Sequence, residues 1–320
     1  MTAAFDVVIP TVGRGTLGPL VETLVRSLPA SAQLIVVDDR PAGAGGAVLD
    51  VRDPRVRLVR SGGRGPAAAR NAGWRAATKP WVAFVDDDVD LPIGWVRQLE
   101  DDLRGAGDDV GAVQGRIEVP VPARRRPSDW ERNVGALAHA PWITADLAVR
   151  REALVAVGGF DERFRRAYRE DTDLTLRLLD VGWRLVRGGR HARHPVRPAP
   201  WWISVRSQRG NGDDVLLERL HGRDWRRRLN VAPGTFASHR VTLGAALGSL
   251  VGMVTGRRRA AAVAAAWWAA RTARFAWGRI APGPRTPREV AAMIATSVAV
   301  PPAACYHRVR GAWRWRATSL

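Results

Sequence analysis

Three consecutive carboxylates, Asp86-Asp87-Asp88, follow directly on the apolar run Trp81-Val82-Ala83-Phe84-Val85. Anions this close repel and raise one another's pKa, and a divalent cation bridging them to a diphosphate relieves the repulsion. If strand geometry persists, Asp86 and Asp88 project from one side and Asp87 turns away. The alternative for an isolated triplet is a solvated loop whose aspartates cap the next helix. A second acidic group, Glu170-Asp171, opens an amphipathic stretch that runs through Leu174, Leu176 and Leu178. Carboxylates at a helix start gain from its dipole, which is the plainer explanation. One held near a metal-bound diphosphate would also serve as a base toward an attacking hydroxyl.

The elements that must position these groups alternate between strand and helix. Short β-branched runs predict strands at residues 4–9, 33–37, 56–60 and 81–85, and Leu17, Leu20, Val21, Leu24, Val25 and Leu28 recur at helical spacing between the first two. Pro66 opens a helix running to about residue 77, and another is expected after Pro92. This pattern reads as a mostly parallel sheet flanked by crossover helices. Thr11, Asp38-Asp39 and Asp86-Asp87-Asp88 then fall at carboxyl ends of strands, where open α/β sheets place their ligands. Residues 110–119 read as a further strand, ahead of a basic, proline-rich loop at 120–127. Residues 151–157 read as a short helix, and a longer one is expected from near Asp171 to Gly182.

In combination, the motifs resemble family 2 glycosyltransferases of the GT-A fold. Val7-Val8-Ile9-Pro10-Thr11 is similar to the opening strand and turn, and Leu34-Ile35-Val36-Val37-Asp38-Asp39 to the second strand with its acidic end. Gly65-Pro66-Ala67-Ala68-Ala69-Arg70-Asn71-Ala72-Gly73 is similar to the helix before the metal site, and Asp86-Asp87-Asp88 to the DxD motif. Gly158-Gly159-Phe160-Asp161-Glu162, followed by Glu170-Asp171, is similar to the segment ending in the catalytic acidic pair. Five weak motifs in the family's order, over roughly residues 5–187, are far more specific than any one of them.

The resemblance implies a Rossmann-like α/β domain. Its activity would be inverting, metal-dependent transfer of a sugar from a nucleotide-diphosphate donor to a hydroxyl of a glycan, glycolipid or small molecule. It implies Pro10, Thr11, Asp39, Arg64, Arg70, Asp86 and Asp87 around the nucleotide, Thr11 and Asp39 at the nucleobase, and Asp86 at the ribose or metal. Asp88 would ligate Mn²⁺ or Mg²⁺, Asp171 would be the base, and Glu170 would be its acidic neighbour. His194 lies where some GT-A enzymes place a histidine near the diphosphate, and a neutral imidazole would complete the metal shell; an ordinary loop histidine is the alternative. Trp142 and Asp146 fall where the family forms its acceptor pocket. The triplet departs from the family pattern in having Asp87 in the middle and Val89 after it, which leaves open which two carboxylates bind metal.

Two other classes compete. Gly13-Arg14-Gly15-Thr16-Leu17-Gly18 is a literal GxGxxG between a strand and a helix, with Asp38 twenty residues after Gly18. A dinucleotide-binding oxidoreductase would take its first glycine straight off the strand. Here Pro10, Thr11 and Val12 intervene, and both acidic clusters are left without roles. The second class is nucleic-acid binding, suggested by a formal charge of +19 over 320 residues. Residues 1–189 are nearly neutral, however, whereas residues 190–320 hold 23 basic and 5 acidic side chains. Within that tail, arginine clusters alternate with alanine-rich apolar runs too short for a comfortable membrane span, and tryptophans flank them. This suits the surface of an anionic bilayer, with a helical subdomain packed on the core as the alternative. The expected division is therefore a catalytic domain over residues 1–230 and a basic helical extension over 231–320. A single cysteine, Cys305, fits a reducing compartment, and no signal peptide is visible, so a cytoplasmic protein, peripheral on the inner face of the membrane, is expected.

Overall fold

The computed structural model describes residues 4–318, and the chain separates into two compact units: Met1–Pro120 with Ala136–Val196, and Val121–Gly135 with Arg197–Leu320. In chain order the elements of the first half are β1 (Phe5–Thr11), α1 (Leu17–Ser27), β2 (Leu34–Asp38), β3 (Val56–Arg60), α2 (Pro66–Ala76), β4 (Trp81–Val85), α3 (Trp95–Arg104) and β5 (Val110–Glu118). After α4 (Asp129–Gly135), which belongs to the second unit, come β6 (Asp146–Arg150), α5 (Arg151–Val157), α6 (Glu170–Asp180) and β7 (Arg184–Arg193). The seven strands form one sheet in the order β3-β2-β1-β4-β6-β5-β7. All pairings are parallel except those of β6, which runs antiparallel between β4 and β5.

The central strands are mainly apolar because both sheet faces are covered. Phe5, Val7 and Ile9 of β1 point to one face, where Leu17, Val21 and Leu24 of α1 and Leu99 of α3 pack on them. Val8 points to the other, against Trp74 of α2, Leu154 of α5 and Leu174 of α6. Gly73 lets α2 lie close against β1, since a Cβ there would come within 2.3 Å of Val8 Cγ1. Asp6, wholly buried in β1, ties down the loops that lead into its neighbours: it accepts from the backbone N–H of Gln33 at 2.9 Å and of Thr78 at 2.7 Å.

Strand β7 is an element the periodicity does not reveal. Its register against β5 jumps from Gln114↔Arg187 to Arg116↔His191, so Gly188, Gly189 and Arg190 form a bulge. Gly188 sits so close to Asp102 that a Cβ would lie 2.0 Å from its Oδ2. The bulge turns Arg190 into the core, where it is fully buried and pairs with Asp146 Oδ1 at 2.8 Å and Asp102 Oδ2 at 2.9 Å.

The second unit is helical. It adds α7 (Ile203–Ser207), α8 (Gly210–His221), α9 (Trp225–Arg228), α10 (Phe236–Val254), α11 (Arg258–Ile280) and α12 (Pro287–Arg314) to α4. This unit takes in the chain from residue 197 onward, ahead of the expected division at 231, for two physical reasons. Helix α8 crosses α12 at two glycines, Gly212 and Gly311, where a Cβ on Gly311 would lie 2.7 Å from the Gly212 Cα. The buried Arg279 of α11 gathers Asp129 of α4 at 2.8 Å, Ser204 of α7 at 2.9 Å and Thr296 of α12 at 2.9 Å. Helix α12 also continues through Pro301-Pro302, a pair that a sequence reading treats as an interruption.

Candidate active site

The acidic triplet leaves the end of β4, and its three members diverge. Asp87 is buried at 1% exposure: its Oδ2 accepts from Thr11 Oγ1 at 2.5 Å, its Oδ1 pairs with Arg14, and its carbonyl accepts from Thr16 Oγ1 at 2.6 Å. Burial pushes its carboxyl above the ordinary range, opposed by the bonds from Thr11 and Arg14. Asp87 therefore clamps the β1–α1 loop, each of its carboxylate oxygens being engaged by a side chain of that loop. Asp86 keeps a quarter of its side chain exposed, with Oδ1 held by Arg70 at 2.7 Å. Asp88 lies 3.7 Å from His194 Nε2, and the other ring nitrogen of His194 is buried with no hydrogen-bond partner. His194 reaches this position from the end of β7, where its N–H donates to the Glu118 carbonyl at 2.8 Å.

Arg70 joins the two acidic clusters. It lies on α2 with 2% of its side chain exposed and donates to Glu170 Oε1 at 2.9 Å as well as to Asp86. Its expected neighbour Arg64 is mostly exposed and pairs with Glu162 at 2.8 Å. One guanidinium thus faces Asp86 and Glu170 directly, with Asp171 beside them. Burial, then repulsion from Asp171, pushes Glu170 up to about 8. Burial also raises Asp171, against the N–H of Thr172 and the charges of Arg70 and Arg169. Asp171 is half-buried, and its Oδ1 accepts from the Thr172 N–H at 2.7 Å. Helix α6, which carries the pair, starts from Arg169 at φ 78°, a left-handed backbone that L side chains adopt at a cost.

The segment before α6 is docked on α2 by Asn71, whose side chain accepts from the Phe160 N–H at 2.9 Å and donates to the Phe160 carbonyl at 2.8 Å. Gly159 permits this contact: at φ 79°, a Cβ there would lie 2.5 Å from both Asn71 Oδ1 and Trp74 Nε1. Asn71 and Trp74 are positioning residues; the sequence signals Asn71 only by its place in a matched motif and Trp74 not at all.

Asp39, at the end of β2, accepts from Ser61 Oγ at 2.7 Å and from the N–H groups of Arg64 at 3.0 Å and Gly65 at 2.9 Å. It holds the loop entering α2, while Pro10 and Thr11 end β1 beside it. Trp142 is half-buried and has a left-handed backbone, φ 56°. Asp146, expected at an acceptor, is instead fully buried: Trp95 Nε1 donates to its Oδ2 at 2.9 Å and Arg190 Nε to its Oδ1 at 2.8 Å. The carboxylate serves there as counter-ion to Arg190. In the GxGxxG likeness, no packing within the described residues requires glycine at Gly15 or Gly18. Gly15 and Gly18 have open space where a Cβ would sit, and the Asp38 carboxylate is engaged by Arg40 at 2.8 Å.

A mostly parallel sheet of this order, with carboxylates at the end of β4 and at the start of α6, defines the GT-A architecture. The chain belongs to glycosyl transferase family 2, whose model matches residues 6–169. Among curated proteins it is 34% identical over 135 residues to a pre-mycofactocin glycosyltransferase of Mycobacterium tuberculosis, covering 38% of this chain and 28% of that protein. It is 28% identical over 162 residues to the uncharacterized glycosyltransferase YibD of Escherichia coli, covering 47% and 46%. These matches span less than half the length of the relatives. Among solved structures, the mannosyltransferase PcManGT from Pyrobaculum calidifontis, in complex with GDP-Man and Mn²⁺, aligns over 97% of this chain and 88% of that one. The TM-score is 0.55 at 17% identity, a likeness of fold.

Proposed function

We propose that the protein is an inverting glycosyltransferase that moves a sugar from a nucleotide diphosphate to an acceptor hydroxyl with a divalent cation bound. The observation that supports this reading best is the Asp86–Arg70–Glu170 chain, which couples the carboxylates after β4 to those opening α6. Among the described residues no three His, Cys, Asp or Glu form a ready-made metal cage. The donor set nevertheless fits Mn²⁺ or Mg²⁺, which are commonly held by one or two protein groups together with substrate phosphates. Asp88, His194 with its partnerless buried nitrogen, and the exposed part of Asp86 would hold the ion. When bound, it would neutralise the charge that develops on the departing diphosphate.

The chain's own residues supply the rest. Asp171 Oδ2 takes the proton of the acceptor hydroxyl while that oxygen attacks the anomeric carbon from the side opposite the diphosphate. The bond to the diphosphate breaks as the new one forms, so one displacement inverts the configuration. Asp171 is suited to this role because Oδ1 is fixed by Thr172 and its raised pKa makes it a stronger base than an ordinary aspartate. Thr11 and Asp39 border the nucleobase in this reading, and the Trp142 ring lies against the acceptor.

Calorimetric titration of GDP- and UDP-sugars with and without Mn²⁺ tests the reading. Binding is expected only with metal, and Asp88→Ala should remove the metal response. Equal affinity in all four conditions would overturn it, as would selective binding of NAD.

A further inference from the structure

Helix α10 presents its side chains in the reverse of the usual order. It buries His239, Thr242, Ser249 and Gly252, all polar or small, whereas Leu247, Leu250, Val251, Met253 and Val254 are 52–80% exposed. Leu247, Leu250, Val251 and Val254 fall at i, i+3, i+4 and i+7 and so form one stripe. On the buried side Gly252 brings α11 close, since a Cβ there would lie 3.0 Å from the Ala261 Cβ. Small residues at the helix contact and aliphatic residues outside suit a lipid medium, where close packing and not exclusion of water holds helices together. Helix α11 extends the pattern with Val263, Trp267 and Trp277 exposed.

We propose that the α10–α11 hairpin is an anchor that lies on an anionic bilayer, the α10 stripe entering the acyl boundary and Arg257, Arg258 and Arg259 engaging lipid phosphates. Charge complementarity selects this occupant: residues 231–280 contain seven arginines and no acidic side chain, and the triplet at the turn is exposed. Length selects the orientation. The uncharged run over residues 241–256 would extend about 24 Å as helix, short of the roughly 30 Å hydrocarbon core, and that of α11 is shorter still. The pair therefore lies in the interface, with tryptophans at headgroup level. Among the described residues only α12 has the length and apolarity to cross a membrane. That helix instead buries Met293, Val300 and Ala304 and forms the support against which α8, α10 and α11 pack.

Flotation of the full-length chain with phosphatidylglycerol-containing vesicles, against phosphatidylcholine alone, tests the proposal independently of the catalytic reading. The protein is expected to float with the anionic vesicles, less so at high salt. Neutralising the triplet to glutamine should lower partition on the order of 100-fold. Leu250→Glu with Val254→Glu, at exposed positions that tolerate charge in water, should abolish it while the circular dichroism stays that of the wild type. Equal flotation of wild type and variants overturns the proposal. So does a wild-type dimer in sedimentation velocity that ignores vesicles and becomes monomeric in the Leu250→Glu/Val254→Glu variant, for a second copy would then cover the stripe.

Discussion

Arg70 faces Asp86, Glu170 and Asp171, so one buried guanidinium is shared among three carboxylates. A buried acid with a raised pKa prefers its neutral form, so the folded chain binds a proton at Glu170 that the unfolded chain has already lost. The stability this confers is complete below pH 4.5 and is lost as pH rises through about 8. Glu170→Gln, neutral at every pH, should flatten that decline, and urea titrations of both proteins at pH 5 and pH 8 would show it; parallel declines would count against the assignment. Asp171→Asn should lower transfer by about 10²–10⁴-fold while metal-dependent nucleotide binding persists. In the wild type the acid limb of the rate profile should lie above the ordinary aspartate range because Asp171 is raised. Proton NMR of the product's anomeric centre checks inversion in the same reaction mixture.

At the scale of elements, the bulge in β7 and the start of β6 depend on each other. Arg190 has no exposure, and Asp146 and Asp102 are its counter-charges. Breaking one half of a buried pair leaves an uncompensated charge, so Asp146→Ala should destabilise the fold by about 3–5 kcal/mol, measurable by equilibrium denaturation. A loss below about 1 kcal/mol would mean that Arg190 finds another partner. Gly159→Ala is expected to act locally: its Cβ would push into Asn71 and Trp74 and shift the segment leading to α6. Turnover should fall more than stability does, and comparing kcat with the thermal midpoint separates the two.

For the whole molecule, the division of the compact units at 196/197 decides how a truncation behaves. Deleting residues 231–320 removes α12 from beside α8 and leaves Asp129 and Ser204 without Arg279. Such a chain should expose the apolar side of α8 and aggregate, whereas the surface variants in α10 should remain soluble. Size-exclusion chromatography of both distinguishes these outcomes, and a monodisperse, folded 1–230 fragment would support a domain boundary at 231.

What the sequence determines by itself is the part encoded by local periodicity and contiguous motifs. The apolar runs of β1, β2 and β4, the helix opened by Pro66, and the carboxylates following a strand or opening a helix are all short-range signals. They were enough to indicate the α/β class, the family and the two acidic clusters. Tertiary structure alone decides which carboxylates remain open to a ligand, because that depends on partners distant in the chain: Thr11 and Arg14 occupy Asp87, and Trp95 and Arg190 occupy Asp146. It likewise makes Arg70 a buried bridge, since its cover comes from a segment 90 to 100 residues away, Phe160 to Glu170. The antiparallel β6 and the bulged β7 follow the same logic, for burial of an arginine is set by what packs over it and leaves no period in the sequence.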